Sequence, residues 1–492
     1  MTAPALHPGG GARTNGAPVL VLQKYGGSSV ADLDRIRACA RRCLGVAEQG
    51  HQLVVIVSAM AGETNRLIAL ANALVEPAPA AESGLESGPP ATAHKGPYVA
   101  SVRRSEAHDR ELDQLVATGE KVSAALLAIA INDLAPRERF EESDHRACPP
   151  EGGELAPRER LDESDHQTKA VSLVGHQLGM RTDRNYTRAR ITHIDHDRIR
   201  RELTKGHIVV CAGFQGIDEV GDITTLGRGG SDTSAVAFAA AMQADVCEIL
   251  TDVDGVYTTD PRLCGNARKI DRISYEEMLE LAALGAKVLQ SRSVELAMKH
   301  RVPVHVRSSL HEGPGTFIVP EEPGMEDVVV SAVALDRNEA KITLTRVPDV
   351  PGTVAALFER LGSAGIVVDM IIQNAAHDGF TDVTFTVPEG ELSRARALLQ
   401  GLELPAGVRP AAILADPGIC KVSVVGVGMR SHAGVAAKTF GLLAAEGINV
   451  QMVSTSEIKI SVVVDERYGE LALRCLHDGF GLGGTEPPGS PP

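Results

Sequence analysis

Val19-Leu20-Val21-Leu22-Gln23-Lys24-Tyr25-Gly26-Gly27-Ser28-Ser29 is an apolar run that stops at a lysine and a glycine pair. Val19 to Gln23 reads as a short buried strand, and a helical pattern follows the glycines to about Glu48. Leu53 to Val57 is a second apolar strand. Strand, glycine-rich turn, helix, strand is the pattern of a parallel sheet. It recurs with Ile208–Ala212, the turn Gly213-Phe214-Gln215-Gly216, a small-residue helix Ser231–Met242 and the strand Val246–Thr251. Everything from 19 to about 320 therefore reads as one α/β domain. Glycines without Cβ let backbone N–H groups approach a polyphosphate, and a following helix N-terminus favours the anion. Lys24 adds a point charge at the same place.

Gly227-Arg228-Gly229-Gly230-Ser231-Asp232-Thr233-Ser234 is a second glycine-rich turn leading into a helix. Ser231 is placed as an N-cap, and the Arg228 fork matches a carboxylate. Asp232 beside two anion cradles needs a lysine or a metal as partner. Neither turn matches the Walker or dinucleotide-binding spacing.

Composition narrows the function. The 492-residue chain carries a net charge of −15, which argues against a nucleic-acid or anionic-membrane surface. No apolar run approaches the ~20 residues of a membrane span. The eight cysteines, at 39, 43, 148, 211, 247, 264, 420 and 475, contain no CxxC pair and suit reduced thiols in a cytoplasm. The sixteen histidines show no triad or metal-ligand spacing. Residues 1–18 read as a flexible leader and 481–492 as a flexible tail. Two stretches, about 76–104 and 134–166, read as insertions. The second carries a tandem duplication, LAPRERFEESDH at 134–145 and LAPRERLDESDH at 155–166.

Beyond a linker near 321–327 the texture changes. Residues 340–415 and 416–480 each read as strand–helix–strand–strand–helix–strand or close to it, weak repeats of one βαββαβ unit. Val350-Pro351-Gly352 opens one helix and Ser431-His432-Ala433-Gly434 the other, and each helix ends in a Gly-Ile turn, 365–366 and 447–448.

The motifs KYGGSSV (24–30), SAMAGETN (58–65), TGE (118–120), GFQG (213–216), TTLGRGGSDTSA (224–235), TDVDGVYTTDPR (251–262) and GAKVLQSRSVELA (285–297) closely resemble those of aspartate kinases. They come in that family's order. The resemblance implies an amino-acid kinase fold, a parallel-sheet αβα sandwich, followed by two ACT domains. It implies transfer of the ATP γ-phosphoryl group to the β-carboxylate of L-aspartate, with Mg2+, as a first step toward lysine, threonine and methionine. A carboxylate is already a nucleophile at neutral pH, so positioning and charge neutralisation carry such a reaction.

By the same resemblance Lys24, Gly26, Gly27 and Ser28 hold the β- and γ-phosphates. Asp232 orients Lys24 or engages Mg2+, and no metal site made by the protein itself is implied. Ser58, Thr64, Gly229, Gly230 and Ser231 line the substrate pocket, where Glu120 meets the substrate ammonium and Arg228 its α-carboxylate. Thr251, Asp252, Tyr257, Arg262, Lys287 and Val288 form the nucleotide site. Lysine, threonine or both are the implied effectors, at Asp349, Gly352, Asp369, Gln373 and Asn374 in the first module and Ser431, Gly434, Asn449 and Thr455 in the second. A homodimer or higher oligomer through the ACT domains is implied. Val367 stands where the family has Asn after the first Gly-Ile turn, which retunes that module; Asn449 keeps it in the second. Two readings compete: another amino-acid kinase, acting on glutamate, acetylglutamate or a nucleotide, and a non-catalytic amino-acid sensor.

Overall fold

The first apolar run forms β1, Leu20–Tyr25, which continues two residues past the expected end and carries Lys24 inside the sheet. The computed structural model describes residues 19–74, 105–135, 169–285, 288–375, 377–404 and 409–484. The expected leader, the first insertion, nearly all of the second and most of the tail lie outside those residues. The chain divides into two compact units, Met1–Asp254 with Lys299–Gly315, and Gly255–Met298 with Thr316–Pro492.

In the first unit, α1 (Leu33–Glu48) follows β1 and is capped by Asp32, which accepts from the Arg35 N–H at 2.8 Å. Next come β2 (Gln52–Val57), α2 (Glu63–Leu74), α3 (Glu106–Val116), α4 (Thr118–Leu134) and β3 (Ala170–Leu173). They are followed by β4 (Ile208–Ala212), α5 (Gly230–Met242), β5 (Val246–Thr251) and β6 (Val304–Ser308). The strands pair in the order β6-β5-β1-β2-β4-β3, all parallel. Parallel strands are covered on both faces, which is why they read as unbroken apolar runs. On one face α1 and α4 meet through Ile36, Cys39, Cys43, Leu127 and Ile131, all buried. Each of the isoleucine and leucine side chains contributes about 1.5–3 kcal/mol.

The helical stretch Glu106–Leu134 is long and apolar enough, by length and composition alone, to cross a membrane, a test that a buried core helix also passes. In this fold Ala124, Leu127 and Ile131 of that stretch are core residues of the first unit. The helix α5 is nearly all buried, its small residues letting it lie close to β1. It begins after Gly229, whose φ of 69° lies in the left-handed region. Ser231 is thus inside the first turn and is not the expected N-cap; the chain reverses at the glycine, where no Cβ opposes a positive φ.

In the second unit, β7 (Ala332–Asp336) precedes the first module, which comprises β8 (Ala340–Pro348), α6 (Thr353–Ser363), β9 (Ile371–Gln373), β10 (Phe380–Val387), α7 (Leu392–Leu399) and β11 (Ala412–Asp416). Its antiparallel sheet runs β9-β10-β8-β11. The second module comprises β12 (Ile419–Val425), α8 (Val435–Ala445), β13 (Met452–Thr455), β14 (Lys459–Asp465) and α9 (Gly469–Gly479). Its sheet runs β7-β12-β14-β13. The fourth strand of the second module is therefore β7, from before the first module, and not a strand following α9. The first module is inserted into the sheet of the second, between paired residues Asp336 and Lys421.

The segment Gly255–Met298 is bound into this same unit. Its helix Tyr275–Ala283 starts with a capping box between Ser274 and Glu277. The buried Glu277 also accepts from Ser331 Oγ at 2.5 Å and the Val427 N–H at 3.0 Å.

Candidate active site

Strand alternation puts Lys24 and Tyr25 on opposite faces of β1. Lys24 Nζ lies 2.5 Å from Asp232 Oδ1, with both side chains about one-tenth exposed. Asp232 comes from the first turn of α5, where the helix dipole favours a negative charge. The pair answers the expectation that an acid here requires a cation.

The turn after β1 and the turn after β2 touch. The Gly26 N–H donates to the Leu250 carbonyl at 3.0 Å, and the Ser58 N–H to the Tyr25 carbonyl at 3.1 Å. A Cβ on Gly27 would lie 2.9 Å from the Ala59 carbonyl oxygen, so this approach needs glycine. Glu120, in the first turn of α4, accepts the Ala59 N–H at 3.0 Å through Oε1. Its Oε2 is buried without a hydrogen-bond partner among the described residues. Burial pushes this carboxyl up to about 7, against the pull of the Ala59 N–H. A buried carboxylate oxygen facing a cleft is a place for a ligand cation.

Gly227 and Gly229, at φ 77° and 69°, shape the second turn. Asp113, buried in α3, holds that turn from below: its carboxylate accepts the Thr225 N–H at 2.8 Å, Thr225 Oγ1 at 2.6 Å and the Thr187 N–H at 2.9 Å. Burial raises its carboxyl to about 6 even so. Phe214 is held at φ 69°, its N–H bonded to Ser234 Oγ at 3.0 Å and its carbonyl taking the Leu226 N–H. Such a φ on an aromatic residue is backbone strain, kept here by both flanking turns.

These elements enclose a cleft of about 410 Å3 at the carboxyl ends of β1 and β2, where ligands of parallel sheets bind. Of the expected residues it brings together Lys24, Gly27, Ser58, Thr64, Glu120 and Arg228 through Asp232. Gly26 and Ser28 share the first turn but do not line it. Met60, Asn65 and Phe214 line it without having been expected. Asp113 also escaped the sequence reading, because its contacts lie 74 and 112 positions away.

Thr251 ends β5, and its carbonyl takes the Ser309 N–H at 2.8 Å; Ser309 Oγ in turn meets Ser29 Oγ at 2.7 Å. Its hydroxyl donates to the exposed Asp252 at 3.1 Å. Tyr257, Arg262 and Val288 belong to the second unit. Tyr257 pairs with Lys269 on a two-stranded ladder. The Arg262 fork is bonded to Asp260 at 3.0 and 2.7 Å, so a phosphate would have to compete with that carboxylate. Val288 is half-buried, and Lys287 lies outside the described residues.

Among the effector candidates, Gly352 and Gly434 cap equivalent helices at φ 95° and 96°. Asp349, Gln373, Asn374, Ser431, Asn449 and Thr455 are exposed. The Asp369 carboxylate is already bonded to Lys421 of the second module, a lysine that also binds Glu339 at 2.7 Å.

A parallel sheet with two glycine-rich turns and a buried lysine–aspartate pair at its carboxyl edge has the architecture of a phosphoryl-transfer enzyme. Residues 19–308 match the amino acid kinase family, and residues 341–404 and 422–480 each match an ACT domain. The aspartate kinase of Stutzerimonas stutzeri is 47% identical over 465 residues, covering 94% of this chain and 97% of that protein. The aspartokinase of Mycobacterium tuberculosis is 42% identical over 472 residues, 95% of this chain and 97% of that one. Escherichia coli aspartokinase III, solved with aspartate and ADP, is 26% identical and superposes with a TM-score of 0.68 over 94% of this chain and 99% of its own. The chain belongs to the amino acid kinase family and, within it, to the aspartate kinases.

Proposed function

We propose that this chain transfers the γ-phosphoryl group of ATP to the β-carboxylate of L-aspartate, giving 4-phospho-L-aspartate and ADP. The observation that carries this reading is the cleft itself, where the unpartnered Glu120 oxygen and the Arg228 guanidinium share walls with Lys24. An α-amino acid held by its ammonium at Glu120 and its α-carboxylate at Arg228 keeps its side-chain carboxylate free to attack phosphorus. Lys24 sits where negative charge builds between attacking and leaving oxygens, and Asp232 keeps the Lys24 ammonium aimed into the cleft. The Gly27 N–H, at the cleft wall, receives a phosphate oxygen, while that of Gly26 is spent on the Leu250 carbonyl. Mg2+, when bound, supplies further neutralisation of the triphosphate. Asp232, from the first turn of α5, would hold it together with phosphate oxygens.

The two ACT modules support control by a free amino acid, lysine, threonine or both. E. coli aspartokinase III, solved with lysine and aspartate, superposes with a TM-score of 0.64 at 26% identity. Exposed Val367 and Ile371 at one edge of the first module suit a homodimer. The reading implies work in the cytoplasm, where ATP and free aspartate are found.

MgATP, L-aspartate and hydroxylamine should give aspartyl hydroxamate. Lys24→Ala should lower turnover by about 100-fold or more. Turnover with another acid but not aspartate would reject the substrate, and amino-acid binding without turnover would leave a sensor.

A further inference from the structure

Among the described residues, one cluster places three metal-ligand atoms of different chemistry within 4.8 Å of one another: those of Cys264, His477 and Asp478. Cys264 lies in the loop after the 257–262 segment, and His477 and Asp478 lie in the last turn of α9. Cys264 Sγ is 3.5 Å from His477 Nδ1, and that nitrogen is 3.7 Å from Asp478 Oδ1. A tetrahedral ion with bonds of about 2.3 Å to sulfur and about 2.0–2.1 Å to nitrogen and oxygen separates its ligand atoms by about 3.3–3.6 Å.

The far side of the imidazole is arranged as a ligand histidine requires. His477 Nε2 is 2.9 Å from Thr258 Oγ1. That hydroxyl already accepts the Arg268 N–H at 3.0 Å and has the Leu482 carbonyl, at 3.3 Å, for its own proton. With the ring proton on Nε2 and donated to Thr258, the Nδ1 lone pair faces Cys264 and Asp478. Asn266 Oδ1, 2.9 Å from Cys264 Sγ, offers a neutral fourth donor, although its amide also donates to Asp478 Oδ1 at 3.0 Å. Cys264 and His477 are buried while Asp478 faces solvent, so the site has a floor and an entrance.

We infer that Cys264, His477 and Asp478 bind a zinc-type transition-metal dication, which clasps the 258–266 loop to the C-terminal end of α9. Thiolate and imidazole donors select such an ion over Mg2+, so the site is chemically separate from any magnesium that accompanies ATP. Binding displaces the Cys264 thiol proton to solvent and changes no oxidation state. No spacing rule finds this site, since its cysteine and histidine are 213 positions apart.

The test is titration of the full-length, chelator-treated protein with Co2+. The expected result is a thiolate-to-cobalt charge-transfer band with visible absorption of tetrahedral intensity, saturating at one ion per chain and displaced by Zn2+. Cys264→Ser should abolish the charge-transfer band, and the exposed Asp478→Asn should weaken cobalt affinity at least tenfold while leaving the fold intact. Zn2+ should raise the melting temperature of the parent and not that of Cys264→Ser. Absence of the band in the parent, or its survival in Cys264→Ser, would overturn the proposal and leave a hydrogen-bonded clasp only. If Cys264→Ser does not fold, an unchanged cobalt affinity in Asp478→Asn overturns it equally.

Discussion

Glu120 is the residue at which binding and stability oppose one another. Its carboxyl titrates at about 7 in the folded chain against an ordinary 4.5. Between those values the folded state keeps a proton that the unfolded state has lost. The stability it contributes is therefore full below about 4.5 and is lost as pH rises through about 7, amounting to about 3 kcal/mol. Glu120→Gln should melt higher than the parent at pH 8 and match it at pH 4.5, as differential scanning calorimetry would read. At pH 8 it should also raise the KM for aspartate by about tenfold or more while moving that for ATP far less. A variant no more stable than the parent at pH 8 would mean that the carboxylate is already paired without substrate. The Lys24, Arg228 and Glu120 positions were legible because each sits in a short motif, at the end of β1, in the Gly227–Gly230 turn and in the first turn of α4. Asp113 was not: nothing near it in sequence tells that its partners are Thr187 and Thr225.

At the scale of elements, the turn after Thr225 depends on α3. Asp113→Ala would strip acceptors from two N–H groups and one hydroxyl, each costing about 1–3 kcal/mol when buried. We expect a loss of about 3 kcal/mol by denaturant unfolding, with the KM for aspartate rising more than that for ATP, and a milder effect from Asp113→Asn. Equal rises for both substrates would show that Asp113 does not act through the Gly227–Gly230 turn. The strands Ile208–Ala212 and Val246–Thr251 were readable to the residue because a strand covered on both faces is an unbroken apolar run. β1 was read short because its last turns of chain carry a lysine, and only Asp232, 208 residues on, explains how that charge is housed. The helix start at Gly230 was misplaced because serine is the commoner cap, while a left-handed glycine does the work here.

For the whole molecule, the nesting of one module in the other could not be read from sequence. Both repeats look self-contained, and the pairing of β7 with β12 joins segments separated by an entire module. The two ACT repeats therefore differ in what they need. A fragment covering 328–484 should give a cooperative thermal melt by circular dichroism. One covering 338–484 lacks β7 and bares an edge of β12, a strand buried along its whole length, so it should aggregate or melt without cooperativity. Equal behaviour of the two fragments would mean that the second sheet is complete without β7.

Seen from β7 and β12, residues 337–418 are the loop of one very long antiparallel hairpin whose stem includes the Asp336–Lys421 pair. The entropy of closing a loop grows only with the logarithm of its length, so a folded body can occupy that loop at little cost to the stem. Its two leads emerge side by side from one place in the sheet. That geometry makes the first module a cassette: a different ligand-binding body whose ends lie close together could be spliced into the same socket, giving the chain a new input while the surrounding sheet keeps its own strands.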